Sequence, residues 1–276
     1  MLRGVRLTLA YDGTAYAGFQ RQPSARTIQS ELEAAIARVT QVPVVVRGAG
    51  RTDAGVHAEG QVVAFDTERE LPPRRWLLAI NRYLPDDIAV QAVSECAAGY
   101  NPRYDAFDKL YRYLFYLGLA RSPLLRHRAW HLGRAGASTT AADLASRACP
   151  LDLPAMRQTA QSLVGTHDFR AFRSSDDARE NAQRTMHRVD LIEAFHDQPH
   201  VLALEVQGSA FMKNMVRIIA GTLIAVGRGR LSPADVAALL HSAATRSKHS
   251  DTAPAHGLTL VRVTLGRQTA QPPADH

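Results

Sequence analysis

A chain of 276 residues is long enough for one large or two ordinary domains with a real core, and 46% hydrophobic content marks it as globular. Its 33 Lys and Arg against 26 Asp and Glu leave a net charge of +7, carried largely by arginine, which suits bidentate contact with phosphate and a polyanionic partner. Two distant cysteines, Cys96 and Cys149, exclude a disulfide framework or thiolate metal site, and the most apolar run, Met215 to Val226, is too short for a bilayer and contains Arg217, so the expectation is a soluble cytoplasmic protein.

In chain order, Val5, Leu7 and Leu9 alternate with Arg6, Thr8 and Ala10, the period of a half-buried strand, before Tyr11-Asp12-Gly13-Thr14 turns the chain. Thr27 is placed as an N-cap, and Ile28, Leu32, Ala35, Ile36 and Val39 then recur at helical spacing. Val42 to Val46 reads as a strand and Gln61 to Phe65 as another. Pro72-Pro73 opens a helix carrying Trp76, Leu77, Ile80 and Leu84, and Ile88 to Val93 reads as the next strand. The order is β-α-β-β-α-β.

Tyr111, Tyr113, Phe115 and Leu117 alternate as a strand, and a long irregular stretch from Gly118 to Leu153 holds Arg121, Arg126, His127, Arg128 and His131. Ala155 to Val164 is a predicted helix, and Arg184 to Phe195 with Val201 to Gln207 a strand pair. Phe211 to Val226 is a strong helix, Pro233 to His241 a shorter one, and Leu258 to Leu265 a last strand. The second half thus repeats β-α-β-β-α-β with one extra helix. The fold class is α+β, two ferredoxin-like halves sharing a continuous mainly antiparallel sheet with a central cleft. The boundaries fall at 1–104 and 105–265, and the polar tail 266–276 is expected to fray.

Between two Val-rich runs lies Gly48-Ala49-Gly50-Arg51-Thr52-Asp53-Ala54-Gly55-Val56-His57-Ala58. Its glycines allow backbone angles that side chains forbid, favouring a shaped loop over a helix. An ordinary turn with a solvated arginine has the same ingredients, yet polar side chains on a loop between buried strands are a usual place for chemistry. The loop offers one carboxylate, whereas glycoside hydrolysis normally calls for two. With Arg51 two residues away, Asp53 should stay ionised, which suits a nucleophile or base in an isomerisation that needs no water. Tyr111, taken alone, is a core aromatic. Arg217 is the one charge between Met215 and Val226, and it either snorkels or pairs with a carboxylate, whose natural source is the loop. Lys213, one turn earlier on that helix, would reach phosphate. Asp53 and His57 suggest no metal pair, because Gly55 breaks the helix that i,i+4 ligation wants.

The string Gly50 to Ala58 resembles the active-site loop of TruA-type tRNA pseudouridine synthases. Tyr11 to Thr14 with Gly18-Phe19-Gln20, Thr27 to Glu33, the Tyr111-Arg112-Tyr113 strand, Gly165 to Phe169 and the basic run Phe211 to Arg217 extend the resemblance over nearly the whole chain. It departs at Phe19, where tryptophan is common, and at Lys213-Asn214, where some members have Arg-His. The resemblance implies isomerisation of uridines 38, 39 and 40 in the anticodon stem-loop of tRNA, by a homodimer without metal or cofactor. It implies that Asp53 is the catalytic nucleophile or base, Arg217 pairs with it, Tyr111 stacks on the target base, and Arg51 fills the space that the flipped base leaves. Leu258 falls where the family sets an aliphatic residue against the target ring. His57 is read as structural. The rivals are a non-catalytic RNA-binding module of the same fold, a synthase acting on other RNA sites, and a metal-dependent hydrolase using Asp53, His57 and distant histidines.

Overall fold

A computed structural model describes residues 1–133, 151–177, 179–241 and 246–266. In chain order its elements are β1 (Arg3–Tyr11), α1 (Ile28–Thr40), β2 (Arg47–Gly48), β3 (His57–Thr67), α2 (Pro73–Asn81), β4 (Ile88–Cys96), α3 (Pro102–Asp105) and β5 (Ala106–Tyr116). There follow β6 (Trp130–His131), α4 (Leu153–Ser162), β7 (Gly165–Asp168), β8 (Gln183–Ile192), β9 (Val201–Gly208), α5 (Met215–Gly227), α6 (Pro233–Ala238) and β10 (Leu258–Leu265). The chain is mixed α+β with mainly antiparallel strands, and it divides into two compact units, residues 1–109 with 259–276 and residues 110–258. The expected frayed tail falls, apart from Gly266, outside the described residues.

In the first unit the strands run β4-β1-β3-β10, with β2 also on β3. β1 lies between antiparallel neighbours, Leu7 facing Val63 of β3 and Val93 of β4, and its alternating Val5, Leu7 and Leu9 are buried. Helix α1 starts where its capping residue says it should. The Thr27 side chain accepts the Ser30 amide and Ser30 Oγ accepts the Thr27 amide, so two of the turn's orphan donors are satisfied. Its stripe of Ile28, Leu32, Ala35, Ile36 and Val39 is buried. From α2, Trp76 meets Phe65 of β3 edge to face at 5.5 Å.

Val42 to Val46 is not a strand. Pro43 has no amide hydrogen to offer a ladder, the Val46 amide donates instead to Glu33 Oε1 at 3.0 Å, and Val42 and Val45 are exposed. Only Arg47–Gly48 pairs, with Arg47 opposite Ala64. The last strand occupies the predicted residues, but its ladder is with β3 of the first unit, parallel, Thr259 opposite His57 and Leu260 opposite Ala58.

In the second unit the strands run β5-β9-β8-β7, with short β6 parallel to the end of β5. β6 and β7 were absent from the sequence-based element order. Helix α5 is buried almost all round, as a helix apolar on every face must be, and α4 packs on both α5 and α6. It begins at Met215, not Phe211, because Asn214 adopts a left-handed conformation with φ 60°. Lys213 therefore precedes the helix and is not one turn below Arg217 on its face.

Candidate active site

The loop between β2 and β3 has its backbone held by three hydrogen bonds, one to a backbone carbonyl and two from side chains. The Ala49 amide donates to Val62 O at 2.8 Å, Gln61 Nε2 to Gly50 O at 3.0 Å, and Lys109 Nζ to Ala49 O at 3.1 Å. Burial, with Arg103 adding, pushes the Lys109 ammonium pKa below its usual value. Thr52 is buried, its hydroxyl 2.8 Å from Tyr11 Oη and its carbonyl accepting the Phe19 amide at 3.1 Å. Burial raises the Tyr11 phenol to about 12, so it is a neutral anchor at working pH.

Asp53 to Val56 form a turn closed by the Val56 amide on Asp53 O at 3.1 Å. Gly55 takes its third position with φ +78°, where a side chain would be strained. The turn rests on residues 11–19. A Cβ at Gly13 would lie 2.0 Å from the Val56 carbonyl oxygen, so any side chain there forces the two backbones apart. The fully buried His57 accepts the Gly13 amide on Nδ1 at 3.1 Å. Asp12 Oδ1 is also 3.1 Å from that nitrogen, but it takes the Thr14 amide at 3.0 Å and hydroxyl at 2.5 Å. Thus Tyr11 to Thr14 and Gly18-Phe19 are the bed of the loop. At its tip Arg51 is exposed and Asp53 half-buried.

In the second unit, Tyr111 on β5 is buried with its ring edge-on to Phe211 at 4.9 Å. Two residues along, the Tyr113 hydroxyl donates to Pro254 O at 2.8 Å, and burial drives its phenol far above the ordinary range. Arg217, in the first turn of α5, donates from Nε to Ala253 O at 2.7 Å and from Nη1 to Asn214 Oδ1 at 2.9 Å. The Ala253 amide in turn donates to the Arg217 carbonyl at 3.1 Å. Tyr113, Arg217 and the segment leading to buried Leu258 therefore form one cluster. The Lys213 Nζ is 2.5 Å from Asp176, and its amide donates to Asp177. Arg179 beside Asp177 holds that carboxyl well below the usual range. Among the described residues, no group of three or more His, Cys, Asp or Glu is placed to hold a metal ion.

A profile of the tRNA pseudouridine synthase family matches residues 8–105 and 159–264. The chain belongs to that family. It is 44% identical to tRNA pseudouridine synthase A of Geobacter sulfurreducens over 95% of this chain and 99% of the relative. Against the enzyme of the same name from Bacillus velezensis it is 42% identical, over 93% of this chain and 96% of the relative.

In this tRNA pseudouridine synthase family member the first matched segment holds Arg51 and Asp53, and the second holds Lys213, Arg217 and Leu258. Tyr111 lies between the two segments. The structure places Arg51 and Asp53 together on the loop tip of the first unit, and Tyr111, Arg217 and Leu258 in the second. Three supports escaped the sequence reading, namely Lys109 under the loop, Phe211 against Tyr111, and the Tyr113 hydroxyl that ties down the 253–258 segment. Tyr113 had a signal, since alternation puts it on the same strand face as Tyr111. Lys109 and Phe211 had none, because each acts across a long sequence separation. Chemically, the loop offers a half-buried carboxylate on a tight turn, a group able to attack or remove a proton.

Proposed function

We propose that this chain converts uridines 38, 39 and 40 in the anticodon stem-loop of tRNA to pseudouridine, using Asp53 as nucleophile or base. The uracil N1 bond to ribose C1′ breaks, the ring turns, C5 bonds to C1′, and C5 loses the proton that balances protonation at N1. Substrate and product are isomers, so one carboxylate is enough and no water is consumed. Arg217 pairs with Asp53 and fixes its orientation, and Tyr111 stacks on the target base. Leu258 lies against the same ring. Arg51 fills the space of the extruded base, offsetting an unstacking cost of a few kcal/mol. Lys213 reaches phosphate by leaving Asp176, an exposed pair that costs little to break.

The observation that carries this reading is the placement of Asp53. It stands in a turn shaped by Gly55 and bedded on residues 11–19, in a chain of this family. Exposed Arg74, Arg75 and Arg82 on and beside α2, with the basic stretch 118–131, supply phosphate contacts. Two copies of the chain act on each tRNA, in the cytoplasm, without metal or cofactor. No helix among the described residues is long and apolar enough to cross a membrane. The test is to incubate the protein with unmodified tRNA transcripts and map pseudouridine by position. Product at 38, 39 or 40 is expected; product elsewhere, or none, refutes the assignment.

A further inference from the structure

We propose that a second pocket, wholly within residues 110–258, receives an unpaired nucleotide of the RNA next to the one being isomerised. The proposal rests on the tRNA reading above and adds a subsite to it. The cavity holds about 320 Å³ and is walled by Tyr116, Trp130, His131 and His256, with Arg121 and Arg126 among its lining. That volume is at the lower end of the ~300–1000 Å³ that small-ligand sites span, the size class of one nucleotide. None of the residues lining it is acidic. None is among Arg51, Asp53, Tyr111, Lys213, Arg217 and Leu258.

The walls are built, not incidental. β6 runs in register beside β5, Phe115 opposite Trp130 and Tyr116 opposite His131, so both wall rings of β6 are set by a backbone ladder. The Tyr116 and His131 rings stand 5.3 Å apart at 42°, and a His131 ring nitrogen lies 2.7 Å from Gly118 O. The ring of His256 bonds to the backbone of Ala129. Burial pushes the His256 pKa down, which favours its neutral form. Arg121 and Arg126 are exposed on a stretch turned by the Leu125 amide on Ser122 O and the Ala129 amide on Leu125 O.

Aromatic walls with exposed guanidiniums in the lining match a base on rings and its phosphate on arginine. Arg217 donates to Ala253 O at 2.7 Å, three residues before His256 of the pocket wall, so one short segment links the pocket to the arginine proposed to serve Asp53. A nucleotide flanking the target is therefore the one it is placed to take. Holding a neighbour out of the stack would also offset part of the unstacking that base extrusion requires.

Trp130 reports on occupancy. Its emission is the difference between wild type and W130F, or equally the emission of W76F, in which it is the remaining tryptophan. Unmodified tRNA is expected to quench it, and R121A/R126A should need on the order of tenfold more tRNA for half the quench. Free uridine 5′-monophosphate at the same concentration should leave the emission unchanged. An emission that stays constant at tRNA concentrations saturating pseudouridine formation overturns the proposal, as does a quench that R121A/R126A does not shift. Quenching by the free nucleotide and not by tRNA overturns it too, assigning the pocket to a small molecule. A protein that forms no pseudouridine while tRNA still quenches Trp130 refutes the activity and supports the pocket.

Discussion

Replacing Gly13 with alanine should damage the chemistry without touching a reacting group. A Cβ there would lie 2.0 Å from the Val56 carbonyl oxygen and 2.6 Å from its carbon, and contacts under 3.0 Å are essentially never seen. The difference, 3.0 minus 2.0, requires the two backbones to part by about 1 Å, and the Asp53 to Val56 turn moves with them because the Val56 amide is bound to Asp53 O. A catalytic group displaced by that much typically costs roughly 100-fold in rate, about 2.7 kcal/mol of barrier. Overpacking costs the fold about 1–3 kcal/mol, which a domain of ordinary stability survives. The assay is single-turnover pseudouridine formation at saturating tRNA, with thermal melting as the check on folding. Gly99 is the control for an added side chain without a clash, since its φ of +78° disfavours one but a Cβ there meets nothing within 4 Å; G99A should lose about 1–2 kcal/mol of stability and no rate. A folded G13A protein with wild-type rate would refute the argument that this glycine sets the loop.

Tyr113→Phe removes the donor to Pro254 O and leaves that carbonyl without it, so a urea midpoint should report a loss of about 1–3 kcal/mol; an unchanged midpoint contradicts the anchoring role. Arg47 grips Asp66 at 2.8 Å through both nitrogens, with the Gly99 amide at 3.0 Å, and holds its pKa below the ordinary carboxylate value. Its stabilisation is thus complete above the unfolded pKa of about 4 and disappears as pH falls through the lower folded value. Asp66→Asn should accordingly destabilise at pH 7 and narrow its gap to wild type as the pH is lowered below 4; a gap constant from pH 7 to 2 would contradict this. Replacing Arg74, Arg75 and Arg82 by alanine should flatten the dependence of tRNA affinity on salt by up to about three phosphate contacts. An unchanged slope would remove α2 from the RNA-binding surface.

Much of this architecture could be read from the residues because its signals are local. Thr27 and the spacing after it place α1 within a residue of its observed start, and β10 spans the predicted Leu258 to Leu265. The loop was legible for a different reason, since its glycines serve backbone needs that few other sequences share. What was not legible is set by distant partners. Val42 to Val46 has strand-forming composition, but Pro43 and the Glu33 carboxylate decide otherwise. β7 is Gly-Thr-His-Asp, with no alternation to announce a strand paired to β8. The last strand says nothing of its neighbour, and its parallel ladder with β3 follows from tertiary packing. Lys213 looked helical because the apolar run continues through it, while one left-handed residue, Asn214, ends the helix short.

The proposed reaction runs through a single carboxylate, and the direct measurement is tritium released from tRNA labelled at uridine C5, comparing wild type with Asp53→Asn. Asparagine keeps the shape of a half-buried side chain on a loop fixed by its backbone, so the variant should fold and still bind tRNA. Wild type should release one tritium for each pseudouridine formed, and the variant none above background. Release by the variant at a rate near wild type would show that the reaction does not run through Asp53.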